Sequence, residues 1–362
     1  HAKQAALDTP LELYTSAYQC LLDYCRKNLT SVIILLKIAA SYMASVIRPL
    51  LLSLTIFRVK RSHMERRVFF NSDGIRIAGI LFEPEATDND SCPAIMLCQG
   101  MVGVKEYFWF PHLARRLVEL GCVALIWDYR GVGESEGEPG RLYPLEQVED
   151  IRNGLTFLET NPKVDPERLG LMGFSFGAGM VPYVAGIDER VKCSISVAGW
   201  GDGERWMQSI RRYYEWLDLL NQIEDDRKTR IETGMSEMVS GGGILVGDPT
   251  TAAARQKVID QIPEMENYKG TSYSLATAEK LLDFKPISVV ERISPRAIMY
   301  IAAELDSVTP AEGVVGMFEE TYEPKKLWVI PGATHYDVYR EDLKEQIWDM
   351  SVAWFKEYLR ID

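Results

Sequence analysis

Gly173-Phe174-Ser175-Phe176-Gly177 decides the reading of this 362-residue chain. The apolar run Arg168-Leu169-Gly170-Leu171-Met172 leads into it and Ala178-Gly179-Met180-Val181 follows. That order predicts a strand, a sharp turn with serine at its tip, and a helix. Glycine on either side removes the Cβ atoms that would clash where strand and helix meet, and the serine hydroxyl is left exposed at the helix N-terminus.

The same spacing occurs a second time, in Gly133-Glu134-Ser135-Glu136-Gly137. This copy lies several residues past the strand expected at 122–127, and Glu138-Pro139-Gly140 after it cannot open a helix. Its glutamates would oppose negative charge developing on a substrate oxygen. Ser135 is therefore read as a loop residue and Ser175 as the nucleophile.

Length and composition bound the rest. A chain of this size buries a large core and fits one elaborated domain with insertions. A formal charge of −12 argues against nucleic acid as a partner, because phosphate binding needs concentrated Lys and Arg. The six cysteines show no metal-ligand spacing, and Cys98, Cys122 and Cys193 fall in expected buried strands. Buried thiols of that kind suit a reducing, cytoplasmic location. No metal and no cofactor is expected, and Gly131-Val132-Gly133 lacks the third glycine and the helix start of a dinucleotide site.

Residues 1–63 read as an N-terminal helical extension. Thr9, Pro10 and Glu12 form a helix start, and Leu29 to Phe57 is apolar nearly all round. Lys37 and Arg48 interrupt that stretch before it reaches the roughly 20 residues of a spanning helix. Core or dimer packing, membrane-surface contact through residues 10–57, and a true span all stay open. The apolar stretch has no small-residue cleavage pattern after it, so no secretory signal is expected.

From Met64 the pattern changes. A hairpin at 67–82 is followed by alternating strand and helix signals to residue 199, then by strands at 297–302 and 326–330 and a closing helix at about 340–360. Such alternation implies a mostly parallel, doubly wound sheet covered on both faces, with functional loops at the C-terminal strand edge. Residues 64–199 and 288–362 are the two parts of this core. Residues 200–287 interrupt it with polar and aromatic helices and a Gly241-Gly242-Gly243 loop, where a lid would sit.

A serine hydroxyl needs a base within hydrogen-bond reach and an acid to hold that base. Of four histidines, His335 lies in the loop directly after the last expected strand, on the correct sheet edge. Asp306 follows the preceding strand and is the expected acid, with Glu304 as the fallback. The oxyanion donors should be the backbone N–H groups of Phe176 and Met101, the latter in the loop Gln99-Gly100-Met101-Val102-Gly103. A plain glycine-rich turn is the alternative reading of that loop.

Together these residues resemble the α/β-hydrolase fold of serine esterases, near its dienelactone-hydrolase and X-Pro-dipeptidyl-peptidase-like branches. The resemblance rests on the elbow, on Asp128-Tyr129-Arg130-Gly131-Val132-Gly133-Glu134-Ser135-Glu136-Gly137, on Asp306 with Val308 and Pro310, and on Gly332 with His335-Tyr336. Many relatives begin the oxyanion loop with His-Gly, whereas this chain has Gln99-Gly100, which would orient the loop or contact substrate. No acidic pair for a peptide's free amine can be placed, which counts against a peptidase.

The resemblance implies a small-molecule acyl substrate. Similar proteins with a hydrophobic extension and a long lid include natural-product enzymes that hydrolyse esters, lactones or thioesters or pass the acyl group to an alcohol. The leading expectation is hydrolysis through a Ser175 acyl-enzyme, with acyl transfer and a non-catalytic binding protein as alternatives. Trp109, Phe110, Trp200, Trp206 and Trp216 are candidates for an apolar acyl pocket, each against the simpler reading of core packing.

Overall fold

A computed structural model of the chain describes residues 63–85, 91–101, 103–106, 109–260 and 272–361. The expected N-terminal helices, and the contacts anticipated for residues 10–57, lie outside the described residues. Among the described residues no helix is long and apolar enough to cross a membrane.

The hairpin signal resolves into β1 (His63–Ser72) and β2 (Ile75–Pro84), paired antiparallel around Asp73-Gly74. The alternating region gives β3 (Cys92–Cys98), α1 (Phe110–Glu119), β4 (Val123–Trp127), α2 (Pro144–Glu159), β5 (Val164–Phe174), α3 (Phe176–Ile187) and β6 (Val191–Val197). After the insertion come β9 (Ala297–Ala303), α9 (Ala311–Glu320), β10 (Lys325–Ile330) and α10 (Glu341–Tyr358). The sheet order is β1-β2-β4-β3-β5-β6-β9-β10. From β4 to β10 the neighbours are parallel, and only β1 with β2 and β2 with β4 are antiparallel.

Strands β3, β4 and β9 are buried at every position because helices cover both faces of the sheet. One apolar layer packs α2 and α3 against one face, and another packs α1 and α10 against the other. The strand order reverses beside β3 and β5, so the loops after these neighbouring strands open a crevice at the C-terminal edge. Ser175 follows β5 and Gln99 follows β3.

The insertion contains α4 (Gly203–Ser209), α5 (Tyr213–Thr233), α6 (Gly241–Ile244), α7 (Pro249–Ile259) and α8 (Leu275–Asp283). A two-stranded ribbon of β7 (Met238–Ser240) and β8 (Ser272–Ser274) runs among them. Two features depart from the sequence reading. Gly241-Gly242-Gly243 is a helical turn and not a loop, since Ile244 is fully buried and Arg211 donates to the carbonyls of Gly243 and Ile244. Helix α9 was not expected: its glycines, Gly313 and Gly316, weaken the helical pattern, and Gly313 lies where the helix backbone approaches the Trp200-Gly201 turn.

Candidate active site

Ser175 joins β5 to α3 with φ of +54°, a region that side-chain-bearing residues rarely adopt. Such strain costs on the order of 1–3 kcal/mol and persists only where the surroundings impose it. Here the Ser175 N–H donates to the Val197 carbonyl at 2.9 Å and the Gly177 N–H to the Gln99 carbonyl at 3.0 Å. The flanking glycines are required by contact: a Cβ on Gly173 would lie 2.4 Å from the Gly177 carbonyl oxygen, and one on Gly177 would lie 2.4 Å from that of Cys98. Serine at a helix N-cap ordinarily caps the helix, but the Ser175 hydroxyl makes no capping bond.

That hydroxyl instead lies 2.9 Å from His335 Nε2. His335 begins a short 3-10 turn (His335–Tyr339) after β10, where the Asp337 carboxylate accepts from the N–H and hydroxyl of Thr334 and fixes the approach to the ring. On the far side of the ring, His335 Nδ1 is 2.7 Å from Asp306 Oδ2. Asp306 Oδ1 accepts the N–H groups of Val308 and Thr309 at 2.8 and 2.7 Å, so the carboxylate is held from both oxygens. Both His335 and Asp306 are buried, whereas Ser175 is partly exposed.

Glu304, the fallback acid, faces away: its carboxylate accepts the Gly332 N–H at 2.7 Å and braces the loop that carries His335. Thr309 was missed by the sequence reading. Its hydroxyl is buried 2.8 Å from the Ala198 carbonyl, 3.1 Å from Asp306 Oδ2 and 3.1 Å from His335 Nδ1, joining the loops after β6, β9 and β10. A Thr-Pro pair after an acid carries no signal of this by itself.

Gly100 passes directly over the serine, and a Cβ there would sit 3.4 Å from Ser175 Cβ. The carbonyl of Gly100 accepts the Gly103 N–H at 3.3 Å, tightening the turn that contains Met101. Phe176 is the first residue of α3, where helix geometry leaves the N–H without an intrahelical partner. Gln99 is buried and its side-chain amide donates to the Trp127 carbonyl at 3.1 Å, beneath the loop. Tyr129 reaches the Gln99 carbonyl with its hydroxyl at 2.6 Å.

The far end of this loop is clipped by charge. Lys105, with no exposed side-chain surface, donates from its backbone N–H and from Nζ to the two Asp128 oxygens, each at 2.7 Å. Nζ also meets Glu134 at 2.7 Å and Glu106 at 2.8 Å. Burial alone would lower the Lys105 pKa, but its carboxylate partners outweigh this and hold the ammonium above its ordinary range. Burial holds the Asp128 carboxyl above its own ordinary range. Ser135 belongs to the same clip, accepting from the Ala78 N–H at 2.9 Å and donating to the Asp128 carbonyl at 2.7 Å.

The tryptophans divide. Trp109 packs edge-on against Phe174, ring centres 5.1 Å apart, in the α1 layer of the core. Trp200 and Trp206 stack at 4.5 Å, and Trp206 Nε1 donates to the Val308 carbonyl at 2.6 Å, beside the Asp306 loop. Both line a cavity of ≈ 410 Å³ with Asp202, Arg205, Ile287 and Pro310. Ser175 is not part of that lining. Trp216 and Phe110 are core residues.

The model of the alpha/beta hydrolase fold family matches residues 93–342, and the chain belongs to that family. The match is to the fold family and does not single out the dienelactone-hydrolase or X-Pro-dipeptidyl-peptidase-like branches. An uncharacterized 31.7 kDa protein of Escherichia coli is 31% identical over 74% of this chain and 91% of its own length. The polyketide transferase grgF of a Penicillium species is 28% identical over 84% of this chain and 99% of its own. The crystal structure of GrgF from Penicillium sp. sh18 superposes with a TM-score of 0.68, at 26% identity, over 82% of this chain and 99% of that one. The thiohydrolase aneE of Aspergillus aculeatus is 26% identical over 80% of this chain and 92% of its own.

Proposed function

We propose that this chain opens an ester or thioester through an acyl-enzyme on Ser175 and releases the acyl group to water. The observation that carries the reading is the hydrogen-bonded series Ser175, His335, Asp306, arranged around a serine held at positive φ. As Ser175 Oγ attacks the acyl carbon, its proton passes to His335 Nε2. Asp306 holds the proton on Nδ1 and stabilises the imidazolium. His335 then gives its proton to the leaving thiol or alcohol, and the acyl–Oγ bond remains. In the second half His335 takes a proton from water, hydroxide equivalent attacks the acyl carbon, and Oγ leaves reprotonated.

The negative oxygen of each tetrahedral intermediate is received by the N–H groups of Phe176 and Met101. Peptide geometry supports Met101: its N–H points opposite to the Gly100 carbonyl, which is turned into the loop toward Gly103. Each such donor is worth roughly 3 kcal/mol in the transition state. Helices α4 to α8 act as a lid over the acyl group.

A second reading, transfer of the acyl group to an alcohol, is supported by the name of the Penicillium relative, which is a polyketide transferase aligned over nearly its whole length. Both readings share the acyl-enzyme and differ only in the acceptor. Intact-mass spectrometry after mixing with thioesters of graded chain length tests the shared step: an adduct of acyl mass is expected on wild type and not on Ser175→Ala. An alcohol series then separates the fates, since free acid alone at every acceptor concentration excludes transfer. Absence of any adduct or turnover across the panel would remove both readings.

A further inference from the structure

The loop after β3 is gripped by core elements at Gln99 and at Lys105, but between these points its holder comes from the insertion. Tyr273, the central residue of β8, donates its hydroxyl to the Met101 carbonyl at 2.6 Å. The two residues are 172 positions apart in sequence. Tyr273 is completely buried, so its hydroxyl must be hydrogen-bonded to avoid a desolvation penalty, and a phenylalanine would fill the same space without that demand. Its backbone is seated as well: Val239 pairs with Tyr273 across the ribbon, and the Ser274 N–H donates to the Gly140 carbonyl at 2.9 Å in the core.

The bond falls where orientation matters. Two peptide planes meet at the Met101 α-carbon. The one before it is set by the Gly103 N–H on the Gly100 carbonyl, the one after it by the Tyr273 hydroxyl on the Met101 carbonyl. With both planes fixed, the direction of the Met101 N–H is fixed too, and Gly100 places this turn against Ser175. A preorganised donor stabilises developing charge without reorganising at the moment of reaction.

We propose that Tyr273 is a positioning residue for the oxyanion site, so that the insertion completes the acyl-transfer machinery and does more than cover it. This rests on the reading of Ser175 as the acylated nucleophile and of Met101 as an oxyanion donor. The ribbon therefore stays docked through turnover, and any opening of the insertion takes place in the helices around it.

Tyr273→Phe keeps the ring and removes the hydroxyl that the Met101 carbonyl accepts from. Misorienting a donor is expected to lower kcat by about tenfold to a hundredfold, less than the loss of a donor altogether. KM should stay within about twofold and the melting temperature within a few degrees, since the bond acts on the transition state and the packing is kept. A boronate that forms a tetrahedral adduct on Ser175 should weaken by the same factor as kcat/KM, while binding of the product acid stays unchanged. Amide hydrogen exchange should quicken in residues 99–106 and not in β5.

An unchanged kcat in Tyr273→Phe overturns the proposal. So does a loss of kcat matched by an equal fall in melting temperature and faster exchange throughout the core, because ring packing then accounts for it. The acyl adduct on wild-type Ser175 separates the two levels of the argument. Wild type that acylates beside a variant that acylates equally fast defeats only the role of Tyr273, whereas wild type that never acylates defeats the underlying mechanism.

Discussion

Gly173-Phe174-Ser175-Phe176-Gly177 and Gly133-Glu134-Ser135-Glu136-Gly137 share a spacing and almost nothing else. In the first, the strand runs straight into the serine and a helix leaves it, so the hydroxyl is held clear of the backbone and meets a histidine. In the second, the serine lies in a loop after β4, and its hydroxyl is consumed by the Ala78 N–H and the Asp128 carbonyl. One hydroxyl faces a histidine nitrogen and the other staples two backbone groups. The difference comes from what precedes and follows each glycine pair: an apolar strand and a helix in the first, a polar loop in the second.

Deleting the two hydroxyls in turn separates the two serines. Ser175→Ala should lower kcat by at least about 10⁴-fold, because the nucleophile and its base act as a unit. Ser135→Ala should leave kcat within a fewfold and cost about 1 kcal/mol of stability for its lost hydrogen bonds. Steady-state turnover and urea unfolding of the two variants decide it. Equal losses of activity would mean that the clip loop takes part in the chemistry.

The two regions also differ in how they are held. The elbow depends on backbone contacts, and the clip depends on a buried charge cluster around Lys105 and Asp128. Lys105→Met removes the cation and leaves Asp128 buried without it, for which a loss of about 3–5 kcal/mol is expected. Adding Asp128→Leu should restore part of that loss, since replacing both partners by apolar groups removes the uncompensated charge. Chemical denaturation of the single and double variants measures this. A double variant less stable than the single would show that the backbone N–H groups of Lys105 and Glu134, both accepted by the Asp128 carboxylate, outweigh its uncompensated charge.

Most of the sheet was legible because buried parallel strands read as continuous apolar runs and helices as periodic ones. Ser175, Asp306 and His335 are singled out by position relative to those strands, and the fold brings all three within hydrogen-bond distance. What stayed hidden was side-chain bonding to distant backbone. Thr309 and Tyr273 are unremarkable letters until the chain folds, and each finds a carbonyl more than 100 residues away. The aromatic candidates were ambiguous for a different reason: tryptophan suits a core and a pocket equally, and only packing separates Trp109 in the α1 layer from Trp200 and Trp206 beside a cavity.

The smallest effect separates the regions by alkali. Cys98 lies directly beneath the elbow, its carbonyl against Gly177, and burial pushes its thiol from 9.0 up to about 12. A group whose folded pKa is raised contributes its full stability below the unfolded value. Above pH 9 the unfolded thiol ionises first, so that contribution drains away between about pH 9 and 12. Lys105 in the clip obeys the same sign from a higher starting point: its ammonium is held above 10.5, so its contribution survives until the pH passes that value. Urea unfolding of wild type should therefore weaken from pH 9 onward, and Cys98→Ala should make that decline shallower between about pH 9 and 12 while leaving the share that Lys105 adds above pH 10.5. Iodoacetamide at pH 8.5 should leave Cys98 unmodified in the native protein, and ready alkylation there would show that the underside of the elbow opens to solvent.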